Sequence, residues 1–384
     1  MLKYSTIYFN IFLYSRKIKE CRNKATYIYI NLFFIIENFI NIKKGTIEMS
    51  VKHQENEEIK QKKKGKALKI IAIILLIIVI ILVGIAIAGM QYINSKLNKI
   101  EYDNLTADEI QVNAGVEEKL ETYRNIALLG LDARTDTFEG TRSDCIIIVS
   151  INEKTKDVKL CSVYRDTYLE LTGRSLDKIT HAYYYGGAKL TLSTLNENLD
   201  LNITEYVTVN FDTVRTVVDA IGGVTITVTD AEAKSIPNIS SAGTYNLNGE
   251  QALAYARIRK IDTDYKRTER MRTVLTAVFD KVKTLNLVEL NNLVDIVLPH
   301  VRTNIKSSEI LSLLPQVATY KIGESIGWPY EVRAYVTPTW YGAPVNLEAN
   351  VIKLHKELFN EEDYEPSEKV KEISNKIINK TGYR

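Results

Sequence analysis

The chain has 384 residues, enough for one large domain or two ordinary ones, and its 45% apolar and 25% charged content is that of a globular protein. A formal net charge of +3 is too small for a chain whose main partner is a bulk polyanion, so any basic character has to be local. Three cysteines, Cys21, Cys145 and Cys161, exclude a disulfide framework, and the last two lie in the apolar runs DCIIIVS and VKLCSVY, where cysteine acts as a small buried hydrophobe.

Residues 1–48 are rich in Ile, Asn, Tyr, Phe and Lys without a clean period, and their ten-residue apolar run from Tyr27 to Ile36 is too short to span a bilayer. They read as an upstream extension, mistranslated or disordered, with Met49 the true start. Residues 49–69 form a short basic tail containing KQKKKGKALK. From Ile70 to Met90 there follow 21 residues without a charge, long enough as a helix to cross a hydrocarbon core of about 30 Å. The basic flank lies before the span and the mixed QYINSKLNKIEYDN after it, so the N-terminus is expected in the cytoplasm and the rest outside the cell. The apolar run exceeds the h-region of a cleaved signal peptide, and no compact small-x-small site follows it.

Residues 91–120 read as a polar juxtamembrane stalk, 121–365 as the outer domain and 366–384 as a C-terminal helix or tail. Within the outer domain, short apolar strands alternate with amphipathic helical windows. The expected fold is therefore α/β, a central mixed β-sheet flanked by helices in three layers. NIALLGL is a buried strand, and DCIIIVSINEKTKDVKLCSVYRD a hairpin turning at Glu153 to Asp157. GGAKLTLSTLNENLDL is helical, ITEYVTVNF a strand, DTVRTVVDAI a helix capped by Asp212, and GGVTITV a strand. NGEQALAYARIR is a short helix. RTERMRTVLTAVFDKVKTL is a long one whose Val274, Leu275, Val278 and Val282 share a face. Then come helices in LVELNNLVDIVLPHV and SSEILSLLPQVATY, the latter capped by Ser307, and a strand in YEVRAYVTP.

Candidate chemistry gathers at strand ends. GLDAR puts Asp132 and Arg134 just past the first outer strand, and TRSD puts Arg142 and Asp144 at the start of the next. Asp132 and Asp144 thus converge, and two hard carboxylates without histidine or cysteine nearby suit Mg²⁺ or Mn²⁺, with remaining ligands from water and phosphate. The hairpin returns Arg165, in YRD, beside residues 142–144. Such a group of arginines and acids is consistent with a bound anion, or with buried ion pairs that neutralise one another.

The stretch RIRKIDTDYKRTERMR, Arg257 to Arg272, carries five arginines, two lysines and three acids. Arg257 and Arg259 would point to one side of an extended segment, and Arg267 and Arg270 are neighbours on one helical turn. A solvated helix face fits Lys260, Lys266 and Glu269. A nucleic-acid surface does not fit, because exposed stacking aromatics are not interleaved with the arginines. Arginine forks favour bidentate phosphate recognition, so a diphosphate held by Arg134, Arg257, Arg259, Arg267 and Arg270 is the expected ligand. His181 in THAYYYGG reads as structural, Gly186 and Gly187 as a turn, and Tyr183 to Tyr185 either line a groove or belong to the core.

Taken together, NIALLGLDAR, TRSDCIIIVSINEKTKDVKLCSVYRDTYLEL, KITHAYYYGG, LNGEQALAYARIR and DTDYKRTERMR resemble, in order and spacing over about residues 121–285, the LytR-CpsA-Psr proteins of Gram-positive bacteria. One departure stands after Arg270, where that family usually has glutamine and this chain has Met271. The resemblance implies a single-pass membrane protein with its catalytic domain outside the cell, transferring a glycopolymer such as teichoic acid or capsule from a polyprenyl pyrophosphate carrier to peptidoglycan. It implies that Asp132 and Asp144 are metal-associated and that Arg142, Arg165, Arg257, Arg259 and Arg267 contact the pyrophosphate. Asp132, Asp144, Arg142 and Arg165 are the expected catalytic set. Two other readings use the same residues: a polyprenyl-pyrophosphate hydrolase with water as nucleophile, and a lipid-binding membrane regulator without turnover.

Overall fold

The computed structural model describes residues 101–132, 138–306, 309 and 318–384. The upstream extension, basic tail, membrane span, first ten stalk residues and most of the helix expected from Ser307 lie outside the described residues. The elements in chain order are β1 Glu101–Tyr102, α1 Val116–Lys119, β2 Tyr123–Leu131, β3 Ser143–Asn152, β4 Asp157–Val163, β5 Tyr168–Glu170, β6 Leu176–Lys178 and α2 Thr180–Leu199. They continue with β7 Glu205–Asn210, α3 Phe211–Ala220, β8 Val224–Val228, α4 Asp230–Ala233, β9 Gly243–Leu247, α5 Gly249–Ala256, α6 Asp264–Val282 and α7 Leu287–Val297. The last are β10 Val301–Thr303, β11 Lys321–Trp328, β12 Val332–Val336, β13 Trp340–Pro344, α8 Leu347–Phe359 and α9 Glu368–Thr381.

A seven-stranded mixed sheet, in the order β1-β10-β7-β2-β3-β4-β11, forms the middle layer. Its central strands are buried on both faces, which is why their sequences read as continuous apolar runs. Alternation sends Ile146 and Ile148 of β3 to one face and Ile147 and Ile151 to the other. Helices α2, α8 and α9 cover the first face through Leu192, Leu195, Leu354, Ile373 and Ile377. The second face meets α6 through Leu275 and Phe279, and beyond it α3, α5 and α6 close a cluster around Val218, Ala252 and Val274. The β3–β4 hairpin turns where expected: Asn152 Oδ1 accepts from the backbone N–H groups of Lys154 and Thr155, at 3.0 Å each.

Several expectations are revised. Helix α3 is capped by Asn210, whose side chain accepts from Thr213 N, and Asp212 sits inside the first turn. GGVTITV and YEVRAYVTP are strands, but they form separate two-stranded ribbons, β8–β9 and β12–β13, outside the main sheet. Strand β11 was not foreseen: KIGESIGW is short of apolar residues because it is an edge strand, paired among the described residues with β4 alone. The C-terminal helix expected within 366–384 is α9, and it and the stalk residues from 101 onward are integral to the domain. Ile110, Val116 and Leu120 are in the core, as are Val370 and Ile373. Buried Asp200 joins the two flanks, accepting from Asn113 Nδ2 at 2.6 Å and from Ser367 N at 2.7 Å.

Truncating Ile373 to Ala should therefore cost about 2–5 kcal/mol and lower the thermal midpoint, while Asn375→Ala on the exposed face of α9 should stay within about 0.5 kcal/mol. Equal midpoints for the two variants would show that α9 is dispensable. Burial pushes the Cys161 thiol up to about 12. At pH 8 its thiolate fraction is then on the order of 10⁻⁴, so peptide mapping should find Cys161 unlabelled by iodoacetamide in the native protein and labelled after unfolding.

Candidate active site

Strand register sets up the site. Gly130 pairs with Cys145, but Leu131 pairs with Ser143, so Asp144 is the extra residue of a β-bulge at the mouth of β3. Bulges of this kind re-aim a side chain at a sheet edge. The Asp144 carboxylate is buried and uses one oxygen, Oδ2, to accept from Arg165 Nη1 at 2.8 Å and from Arg259 Nη2 at 3.3 Å. Arg165, just past the end of β4, also reaches Asp166 at 3.3 Å and Asp264 at 3.7 Å. The hairpin thus returns Arg165 to Asp144 as its length implied, and the loop after α5 brings Arg259 across.

Arg267 occupies the centre of this group. It is 1% exposed and pairs with Asp264 through Nη2 at 2.9 Å, while Nε and Nη1 have no hydrogen-bond partner among the described residues. Burial pushes its guanidinium below the usual arginine range; Asp264 pulls it back, and Arg165 and Arg259 push it down again. Arg165 is in the opposite condition. Burial opposes its charge, yet Asp144, Asp264 and Asp166 together hold its pKa above the usual value. Lys178, bonded to Asp166 at 2.7 Å, completes the group. Among the described residues this network counts four cations, Arg165, Arg259, Arg267 and Lys178, against three acids, Asp144, Asp166 and Asp264. Buried donors left without partners beside a surplus of positive charge make an anion site.

The other residues singled out in the sequence lie in different company. Asp132 and Arg142 are exposed at the facing ends of β2 and β3, where the Asp132 N–H donates to the Arg142 carbonyl at 3.3 Å. Arg257 ends α5 with its guanidinium 5.0 Å from the centre of the Phe211 ring. Arg259 turns instead to Asp144, so the pair two apart does not act as one clamp. Arg270 is drawn away from the group: Glu232 holds its Nε at 2.7 Å, the Ile258 carbonyl accepts from Nη1 at 3.2 Å, and Asp262 holds Nη2. Burial alone would raise the Glu232 carboxyl, but Arg270 and Thr229 bond to it and hold it below the usual carboxylate range. Arg270 thus braces α6 against the loops before it. Arg134 lies outside the described residues.

An apolar cavity of about 180 Å³ opens beside the arginines, between the sheet and helices α3, α5, α6 and α7. Its position follows from sequence neighbours: Cys145 follows Asp144, Met271 stands one helical turn after Arg267, and Phe211 underlies Arg257. Gly130 also lines it, and a Cβ there would meet the Cys145 Cβ at 2.8 Å. Met271, in the place where glutamine was expected, is one of the walls. Asp166, Lys178 and Asp264 were not assigned roles from sequence. The signal for Asp264 was its spacing, three residues before Arg267 in the first turn of α6. Arg272 was also missed; it is buried, donates through Nε to Ser325 Oγ at 3.2 Å, and leaves Nη1 without a partner among the described residues.

Known proteins are similar to this chain in sequence and fold. A polyisoprenyl-teichoic acid--peptidoglycan teichoic acid transferase TagT of Bacillus subtilis (strain 168) is 36% identical over 221 residues, which are 54% of this chain and 69% of the relative. The protein of Bacillus cereus (strain AH820) with the corresponding name TagU is 30% identical over 266 residues, 67% of this chain and 87% of the relative. Of solved structures, one described as TagT bound to LIIa-WTA matches with a TM-score of 0.51 at 28% identity, covering 68% of this chain and 92% of that one. The crystal structure of B. subtilis TagV matches with a TM-score of 0.53 at 31% identity, covering 64% and 99%. The family model LytR_cpsA_psr matches residues 87–339, two thirds of the sequence, and the chain belongs to the LytR_cpsA_psr family.

Proposed function

We propose that this protein transfers a glycopolymer from a polyprenyl pyrophosphate carrier to peptidoglycan, from a domain held outside the cell by the apolar segment at residues 70–90. The observation that carries the proposal is the buried Arg267 fork, with Nε and Nη1 unpartnered among the described residues, beside an apolar cavity. A diphosphate on a prenyl chain matches both halves: acceptor oxygens for the forks of Arg165, Arg259 and Arg267, and a hydrocarbon tail for the walls around Met271 and Phe211. The names of the TagT and TagU relatives support the same reading.

In this reaction an acceptor hydroxyl forms a bond to the glycan-side phosphorus, the bond from that phosphorus to the bridging oxygen breaks, and the prenyl monophosphate leaves. The hydroxyl proton passes to a carboxylate, and Asp132 and Asp144 are the candidates. Arg165, Arg259 and Arg267 stabilise the charge that grows on the bridging and equatorial oxygens. Arg142, exposed at the start of β3, and Arg257, over the Phe211 ring, would contact the glycan-side phosphate and the start of the chain. The donor set also fits a divalent cation. Asp144 Oδ1 and the Asp132 carboxylate have no partner among the described residues, both are hard oxygen donors, and a Mg²⁺ or Mn²⁺ with two protein carboxylates takes its remaining ligands from phosphate and water. Asp132 and Asp144 would hold it, and its charge would offset that of the diphosphate.

Replacing Arg165 with Ala should lower glycan transfer to peptidoglycan by about 10²–10³-fold without a matching loss of thermal stability. Arg270→Ala should do the reverse, lowering the melting point while the turnover of the remaining folded protein changes little. If both variants lose turnover equally at full foldedness, the division between cradle and brace is wrong. Chelation with EDTA should abolish transfer and Mg²⁺ should restore it; undiminished transfer in EDTA would remove the cation from the proposal.

A further inference from the structure

A second, larger cleft of about 600 Å³ lies on the opposite face of the sheet from the apolar cavity. Its floor includes Tyr183 and Tyr206, both part of the core on the face covered by α2. One wall is the first half of α2, which carries Tyr184 at 54% and Tyr185 at 45% exposure, large for aromatic rings of a folded protein. The rings meet edge to face, with centroids 5.5 Å apart, and the Arg174 guanidinium lies 4.3 Å from the centre of the Tyr185 ring, which fixes it in place. The helix breaks directly after them. Gly187 has φ of 61° and ψ of −151°, a conformation open in practice to glycine alone, and a Cβ on Gly186 would meet the Leu190 Cβ at 2.7 Å.

The polar groups of the cleft are held to one another. Arg302 lies 3.9 Å from Asp103 and 3.8 Å from Glu139, the Tyr206 hydroxyl donates to Asp103 at 2.6 Å, and Lys189 reaches Glu109 at 3.5 Å. Among the described lining residues three acids, Asp103, Glu109 and Glu139, face two cations, Lys189 and Arg302, a balance that gives no attraction to phosphate-rich ligands. The open polar rim is equally unsuited to a lipid tail. A sugar ring has an apolar face of C–H groups and a periphery of hydroxyl and amide groups, so its complement is an exposed aromatic ring flanked by paired charges.

The cleft is joined to the arginine cradle by short covalent and hydrogen-bonded links. Gly140, in the cleft lining, lies four residues before Asp144, the carboxylate that bonds Arg165 and Arg259. Thr180, at the start of α2, donates from Oγ1 to the Ser143 carbonyl and from N to the Arg165 carbonyl, each at 3.0 Å. We infer that this cleft binds the acceptor, a β-linked N-acetylhexosamine strand of the peptidoglycan type, with Tyr184 and Tyr185 as its stacking platform. The lipid-linked donor then occupies one face of the sheet and the acceptor the other, and they meet at the strand ends. This inference rests on the transfer reading above, and its test separates the two.

The full chain in detergent micelles, wild type and the double variant Tyr184→Ala/Tyr185→Ala, is titrated with soluble GlcNAc–MurNAc oligosaccharides without lipid. Undecaprenyl pyrophosphate is titrated separately, and transfer kinetics are measured with varied uncrosslinked peptidoglycan strands. The double variant should bind the oligosaccharides about tenfold more weakly and show a similarly raised acceptor KM, with kcat and the affinity for the lipid diphosphate unchanged. Tyr185→Phe, which keeps the ring, should restore most of the binding. Both tyrosines are exposed, so the fold should survive their removal. Oligosaccharide binding that is equal in wild type and double variant, or absent from wild type, overturns the inference. A wild type that binds the oligosaccharides but not the lipid diphosphate leaves the cleft assignment standing and overturns the proposed donor.

Discussion

A guanidinium buried beside other guanidinium groups is the constraint around which the rest of this domain is arranged. Arg267 has given up water, shares one carboxylate, and faces Arg165 and Arg259 across a small space. Removing a charge from water costs several kcal/mol unless it is paired and hydrogen-bonded. Within the protein that condition is met for Arg165, which has three acids, and for Arg270, which has two acids and a carbonyl. Arg267 lacks it, and an anion supplied from outside would complete its bonding.

The sheet explains how such a group is held. Strands β3 and β4 are buried on both faces and joined by a tight hairpin, so the bulged Asp144 and the terminal Arg165 sit on a scaffold with little freedom. Helix α6 crosses the second face and presents Arg267 toward the group, while its next turn presents Met271 to the apolar cavity. Polar head and apolar tail of a ligand are therefore addressed by adjacent turns of one helix. Arg270, on another side of the same helix, is tied to Glu232 and Asp262 and keeps α6 from sliding.

Much of this was legible in the sequence. The apolar runs of β2, β3 and β4 announced a buried sheet, and the hairpin length by itself returned Arg165 to Asp144. The family pattern placed Arg259 and Arg267 near the same ligand. What could not be read was which way each arginine turns. Arg267 and Arg270 look equivalent at a spacing of three, yet partners distant in sequence, Glu232 for one and the cradle for the other, decide their roles. Likewise Arg257 and Arg259 separate because α5 runs to Ala256 and ends its last turn on Arg257, so the two-residue alternation of an extended strand does not apply. Strand β11 and the packing of residues 101–120 are not legible in the sequence because their burial is set by tertiary contacts, whereas α9 carries Val370, Ile373 and Ile377 at helical spacing and was expected as a helix.

The most direct measurement is calorimetric titration of the full chain in detergent with undecaprenyl pyrophosphate and with undecaprenyl monophosphate, for wild type and for Arg267→Gln. A cradle built for two linked phosphates predicts that wild type binds the diphosphate at least about tenfold more tightly than the monophosphate, and that most of this preference is lost in the variant. Equal affinity of the wild type for the two lipids would contradict it.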